Sequence, residues 1–135
     1  MRRLSILSIL FVLFVFPMQA FAGPEGAYQV FGTSPGGGNE YEGVVAVERN
    51  GDTYVVVWEV GGTEFIGTGL GAANVKGVVT MGPASGQDTA LTVSYISEDS
   101  FGLAFYVERD NGEWEGIWTF GGSENIGTEV WVPIE

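Results

Sequence analysis

After residue 22, apolar and polar positions alternate with a period of two, and no window carries the 3.6-residue rhythm of a helix. Short runs rich in Val, Tyr, Trp and Phe are separated by Gly, Asn, Asp, Ser and Pro, the punctuation of an all-β chain. The pattern predicts strands over Gly26–Gly32, Tyr41–Arg49, Thr53–Val60, Glu64–Leu70, Ala90–Ser97, Phe101–Arg109, Glu113–Phe120 and Ile126–Val132. An extra strand is expected near Val75–Met81.

Alternation also predicts faces. Glu59 belongs in water within Tyr54–Val60, as do Glu115 and Thr119 within Trp114–Phe120. That parity puts Tyr54, Val56, Trp58, Val60, Trp114, Trp118 and Phe120 inside. Glu48 and Glu108, set in water, likewise put Val45, Val47, Leu103, Phe105 and Val107 inside. Gly116 faces inward between two Trp residues, leaving room for a neighbouring ring or for a ligand. The candidate core or lumen residues are thus Tyr54, Val56, Trp58, Phe105, Trp114, Gly116, Trp118 and Phe120.

The chain also repeats itself. At an offset of 60, Val47-Glu48-Arg49 falls on Val107-Glu108-Arg109, Trp58 on Trp118, Gly61-Gly62 on Gly121-Gly122, and Ile66-Gly67-Thr68 on Ile126-Gly127-Thr128. With Glu64 on Glu124, ten of the 22 positions from Val47 to Thr68 are identical, far above composition alone. Repeat 1 covers about 26–70 and repeat 2 about 86–132. Asn50-Gly51 reads as a type I′ hairpin turn, and Asp110-Asn111-Gly112 uses the same vocabulary. Some eight consecutive antiparallel strands lose their edges most simply by closing into an up-and-down barrel; a β-sandwich is the alternative.

The first 22 residues read differently. Arg2 and Arg3 precede Leu4–Phe16, a run apolar except for Ser5 and Ser8, and Ala20-Phe21-Ala22 offers a small-x-small cleavage site. This predicts a signal peptide over 1–22 and a single barrel domain over 23–135, periplasmic or extracellular. The apolar run is short for a spanning helix, and no membrane insertion of the mature chain is expected. Without Cys, stability in an oxidising compartment must come from packing.

Charge and composition narrow the chemistry. Beyond residue 22, Arg49, Lys76 and Arg109 stand against 17 acids, leaving −14 and arguing against nucleic-acid binding. The absence of His and Cys excludes His- or Cys-based nucleophilic catalysis and His-ligated zinc. Glu64 and Glu124 could form a carboxylate pair, but both read more simply as hairpin shoulders. Asn50-Gly51-Asp52 and Asp110-Asn111-Gly112 lack the ligand spacing of a Ca²⁺ loop. No catalytic, metal or cofactor-binding residue is expected. Ser34–Asn39 and Gly82–Asp88 read as connecting loops.

The elements Tyr54-x-Val56-x-Trp58, Gly61-Gly62, Gly67-Thr68-Gly69 and Gly127-Thr128-Glu129-x-Trp131 resemble a family of small exported bacterial β-barrel proteins, mostly uncharacterised, some labelled fibronectin-binding. The architecture is also similar to avidin-like and lipocalin-like barrels. The resemblance implies a fold and carries no binding residue across. Together these readings lead to a non-enzymatic binding or adhesion module for an extracellular or envelope protein. The alternatives are a carrier of a small apolar ligand in an aromatic-lined lumen, and a periplasmic inhibitor or envelope structural protein.

Overall fold

The computed structural model describes residues 23–134, so the predicted signal segment lies outside the described residues. The strands are β1 (Gly26–Thr33), β2 (Glu40–Asn50), β3 (Thr53–Val60), β4 (Thr63–Val75), β5 (Val78–Met81), β6 (Ala90–Ile96), β7 (Phe101–Glu108), β8 (Trp114–Phe120) and β9 (Gly127–Pro133). Each of the eight longer strands pairs antiparallel with its neighbours, and the β3–β4 and β1–β9 pairings complete a closed eight-stranded barrel. The expected extra strand is β5, which forms a hairpin with the far end of β4, Ala72–Val75. Because β4 runs on to feed that hairpin, it ends at Val75 and not at Leu70.

Inside, Tyr28, Val30, Val45, Val47, Tyr54, Val56, Leu91, Val93, Tyr106, Trp114 and Trp131 are buried in one apolar cluster. One end of the barrel is stoppered. Residues 82–89 fold across it, Ala84 N–H donating to the Asp52 carbonyl (2.9 Å), while at the same end the chain before β1 is tied by Tyr28 Oη donating to the Pro24 carbonyl (2.8 Å). Buried Asp88 fixes this plug by accepting from Tyr54 Oη (2.5 Å) and Ser85 N–H (3.0 Å). The loops at the opposite end, 34–39, 61–62, 97–100 and 121–126, surround a mouth.

The predicted parity holds on β3 and on most of β8, and it fails on β7. There Ala104 and Tyr106 are buried, whereas Leu103 and Phe105 point outward with 55% and 49% exposure. Val107 shares their outward face. The turns explain the reversal. In the first hairpin Asn50 pairs with Thr53 around Gly51-Asp52; only Gly51 has positive φ (59°), a type II′ arrangement and not the expected I′. In the second, Glu108 pairs with Trp114 around a longer turn closed by Arg109 N–H to the Glu113 carbonyl (2.7 Å). The pairing slips by one residue relative to the aligned half. With a side-chain period of two, that slip turns the whole strand over.

The Gly-Gly turns also diverge. Gly61 and Gly62 both take positive φ and join β3 to β4 directly, while Gly121-Gly122 opens a longer loop in which only Gly122 does. Phe120 is correctly inward by parity but is the last residue of β8, at the mouth and 40% exposed, so it is rim and not core.

Candidate functional site

Below the mouth lies a cavity of about 260 Å³. Its walls are Tyr41 (β2), Trp58 (β3), Phe65 (β4), Tyr95 (β6), Tyr106 (β7) and Trp118 (β8), completed by Ser34, Val60, Ala104 and Glu129. Neighbouring rings meet edge to face: Trp58 and Tyr95 at 5.9 Å and 65°, Tyr41 and Trp118 at 6.0 Å and 76°, Phe65 and Tyr95 at 6.0 Å and 80°. Rings so arranged stand as the sides of a box.

At its base sits Glu129, a carboxylate with 6% exposure on the inward face of β9. Oε1 accepts from Trp131 Nε1 (2.6 Å), Trp58 Nε1 (2.9 Å) and Tyr106 Oη (3.0 Å). Oε2 accepts from Tyr41 Oη (2.5 Å). Three donors therefore crowd Oε1 and one meets Oε2, on a group with about two acceptor positions per oxygen. Burial, reinforced by the nearby Glu129 charge, pushes the Tyr41 and Tyr106 phenols well above the ordinary value; the same causes raise Tyr95 to about 12. These phenols stay protonated donors at neutral pH.

Of the residues singled out by alternation, the fold brings Trp58, Val60 and Trp118 to the cavity. Tyr54, Val56 and Trp114 lie in the packed region towards the plug. Gly116 serves a neighbouring ring: a Cβ there would run into Tyr106. That ring in turn packs on Trp131 with centroids 4.0 Å apart. Phe105 is outside and Phe120 on the rim, as described above. The two aligned Trp residues differ in chemistry: Trp58 Nε1 reaches Glu129, whereas Trp118 Nε1 is buried without a partner.

Glu129 was not among the residues alternation marked, although its own strand holds the signal. In Gly127-Thr128-Glu129-Val130-Trp131 it shares parity with a Trp, which places an acid on an inward face. The aligned position in the first half is Gly69, so the repeat itself gives no hint.

Glu64 and Glu124 are both exposed at the mouth. Arg49 pairs with Glu25 (3.6 Å) and Arg109 with Glu115 (2.5 Å), exposed contacts of small energetic weight. No group of three or more metal-ligating side chains occurs among the described residues. No protein-family model matches the chain, and neither a curated protein nor a solved structure is significantly similar to it.

Proposed function

We propose that the chain is an exported, non-enzymatic binding protein that holds a small, largely apolar molecule in the barrel lumen. The observation that carries this reading is the open cavity itself: a barrel packed tightly at its plugged end keeps about 260 Å³ free beneath its mouth, walled by six aromatic rings. Convergent aromatic walls with one polar anchor are the usual make-up of a small-molecule site. The volume lies just under the roughly 300 Å³ at which drug-sized sites begin, so the ligand is compact. Export is read from the leader-like residues 1–22 and agrees with the resemblance to small exported barrels.

The test is intrinsic Trp fluorescence of the mature chain titrated with small apolar and aromatic compounds, in the wild type and in Ala104→Leu. Ala104 lines the cavity, and a larger side chain there fills it. Saturable quenching that Ala104→Leu abolishes supports lumen binding; binding that survives the substitution refutes it.

A second reading, recognition of an extracellular or envelope protein, draws on the outer wall. Ile66, Ile96 and Phe101 are consecutive cross-strand neighbours, Phe105 is paired with Ile117, and all five are exposed. Large apolar patches of this kind often mark protein contacts. Under this reading, Phe105→Asp abolishes binding to an immobilised matrix-protein panel. Ala104→Leu leaves that binding intact.

A further inference from the structure

We propose that the cavity recognises a compact organic cation whose ammonium centre is fully alkylated, such as a trimethylammonium group. The proposal rests on lumen binding and names the ligand class.

The walls supply the first reason. Successive rings stand at steep angles to one another around an open space, so the lining is aromatic on several sides. An aromatic box of this kind attracts a cation through the ring quadrupoles. Glu129 is the one ionisable acid in the lining, and no Lys or Arg accompanies it.

The distribution of charge supplies the second reason. Glu40 and Glu42 lie at the mouth end of β2, Glu59 and Glu64 flank the Gly61-Gly62 turn, Glu98 and Asp99 form the β6–β7 turn, and Glu124 sits in the β8–β9 loop. All seven are exposed. Arg49, Lys76 and Arg109 fall at the opposite end, by the β2–β3, β4–β5 and β7–β8 turns, among the other acids. The mouth is thus acidic without a compensating base, which raises the local concentration of cations and repels anions.

Glu129 supplies the third reason, and it selects among cations. Oε1 is filled by Trp131, Trp58 and Tyr106, and Oε2 already accepts from Tyr41, which leaves it at most one acceptor position. A primary ammonium carries three donors, and Glu129 can pair at most one of them. A quaternary ammonium has no donor to satisfy. It needs negative potential and aromatic surface, and the cavity offers both.

The experiment compares choline, ethanolamine and 3,3-dimethylbutan-1-ol, the last being choline with carbon in place of nitrogen. Binding to the mature chain is followed by Trp fluorescence and calorimetry, with indole as a neutral aromatic probe. Choline is expected to bind about tenfold more tightly than its neutral isostere, the scale of a desolvated cation–π contact, and more tightly than ethanolamine. Raising the ionic strength from about 0.01 M to about 1 M weakens choline several-fold and leaves the isostere unchanged. Glu129→Gln weakens choline selectively. Because Glu129 also supports the fold, Glu64→Gln with Glu124→Gln at the exposed mouth is the second test, expected to lower choline affinity about threefold with unchanged melting. Equal or tighter binding of the isostere, or binding of indole alone, overturns the cation proposal while lumen binding stands. Failure of every probe to bind overturns both.

Discussion

Replacing Glu129 by Ala removes the acceptor at which four donors meet. Trp131 and Tyr106 are essentially fully buried and Trp58 nearly so, so Trp131 Nε1, Trp58 Nε1 and Tyr106 Oη all lose their partner. Tyr41 is half-buried at the cavity and can turn its hydroxyl to water. A buried donor left unmade costs about 1–3 kcal/mol, so three give roughly 3–9 kcal/mol. Two effects pull the total down. The variant no longer desolvates a carboxylate, and water from the cavity reaches the nearest donors. The expected cost is therefore at the lower end, about 3 kcal/mol, similar to removing one member of a buried polar set. For a domain of this size that corresponds to a melting temperature lower by about 12 °C. Glu129→Gln keeps an oxygen in place and offers Tyr41 Oη a donor instead, so it costs about 1 kcal/mol. Urea unfolding followed by Trp fluorescence, with thermal melts by circular dichroism, measures both. An Ala variant melting within about 2 °C of wild type would refute the account of Glu129 as the acceptor that holds these rings.

High pH should unfold the protein through its tyrosines. All five phenols are raised above 10, Tyr28 and Tyr95 to about 12, chiefly by burial. The stability this contributes is fully present below pH 10, where unfolded tyrosine is still neutral, and is lost as pH rises through 12. Tyrosinate absorbance at about 295 nm should therefore rise together with loss of circular dichroism; five phenols titrating near the ordinary value of about 10 in an intact fold would contradict the burial described. The reversed parity of β7 predicts that Phe105→Ser changes stability by less than about 0.5 kcal/mol, whereas Tyr106→Ala costs about 3–5 kcal/mol. The opposite order in urea titrations would restore Phe105 to the interior.

The resemblance between the two halves was readable in the residues, yet it misled at β7. Val107-Glu108-Arg109 repeats Val47-Glu48-Arg49 letter for letter, but the turn that follows is longer and takes up the difference as a one-residue slip. Turn geometry depends on how Asp110, Asn111 and Gly112 are hydrogen-bonded once the strands meet, and identical strand residues cannot announce it. Phe120 shows a milder form of the same problem. Alternation gives its face but not its height along the barrel, and height separates core from rim.

Alternation and turn residues determined the all-β class and where the nine strands fall along the chain, because strand periodicity and Gly, Asn and Asp punctuation are local properties. They also identified Trp58 and Trp118 as inward. Only closure of the barrel decided what the inward residues do. It brings Tyr41, Trp58 and Tyr106 from three other strands to the two oxygens of Glu129, beside Trp131 of its own strand, over separations of up to 88 residues along the chain. It gathers seven scattered acids at one mouth. And it folds residues 82–89 over the other end, so that the barrel is a cup and not a tube. These are long-range events: they depend on which strands become neighbours around the ring, and a pattern of period two carries no record of that.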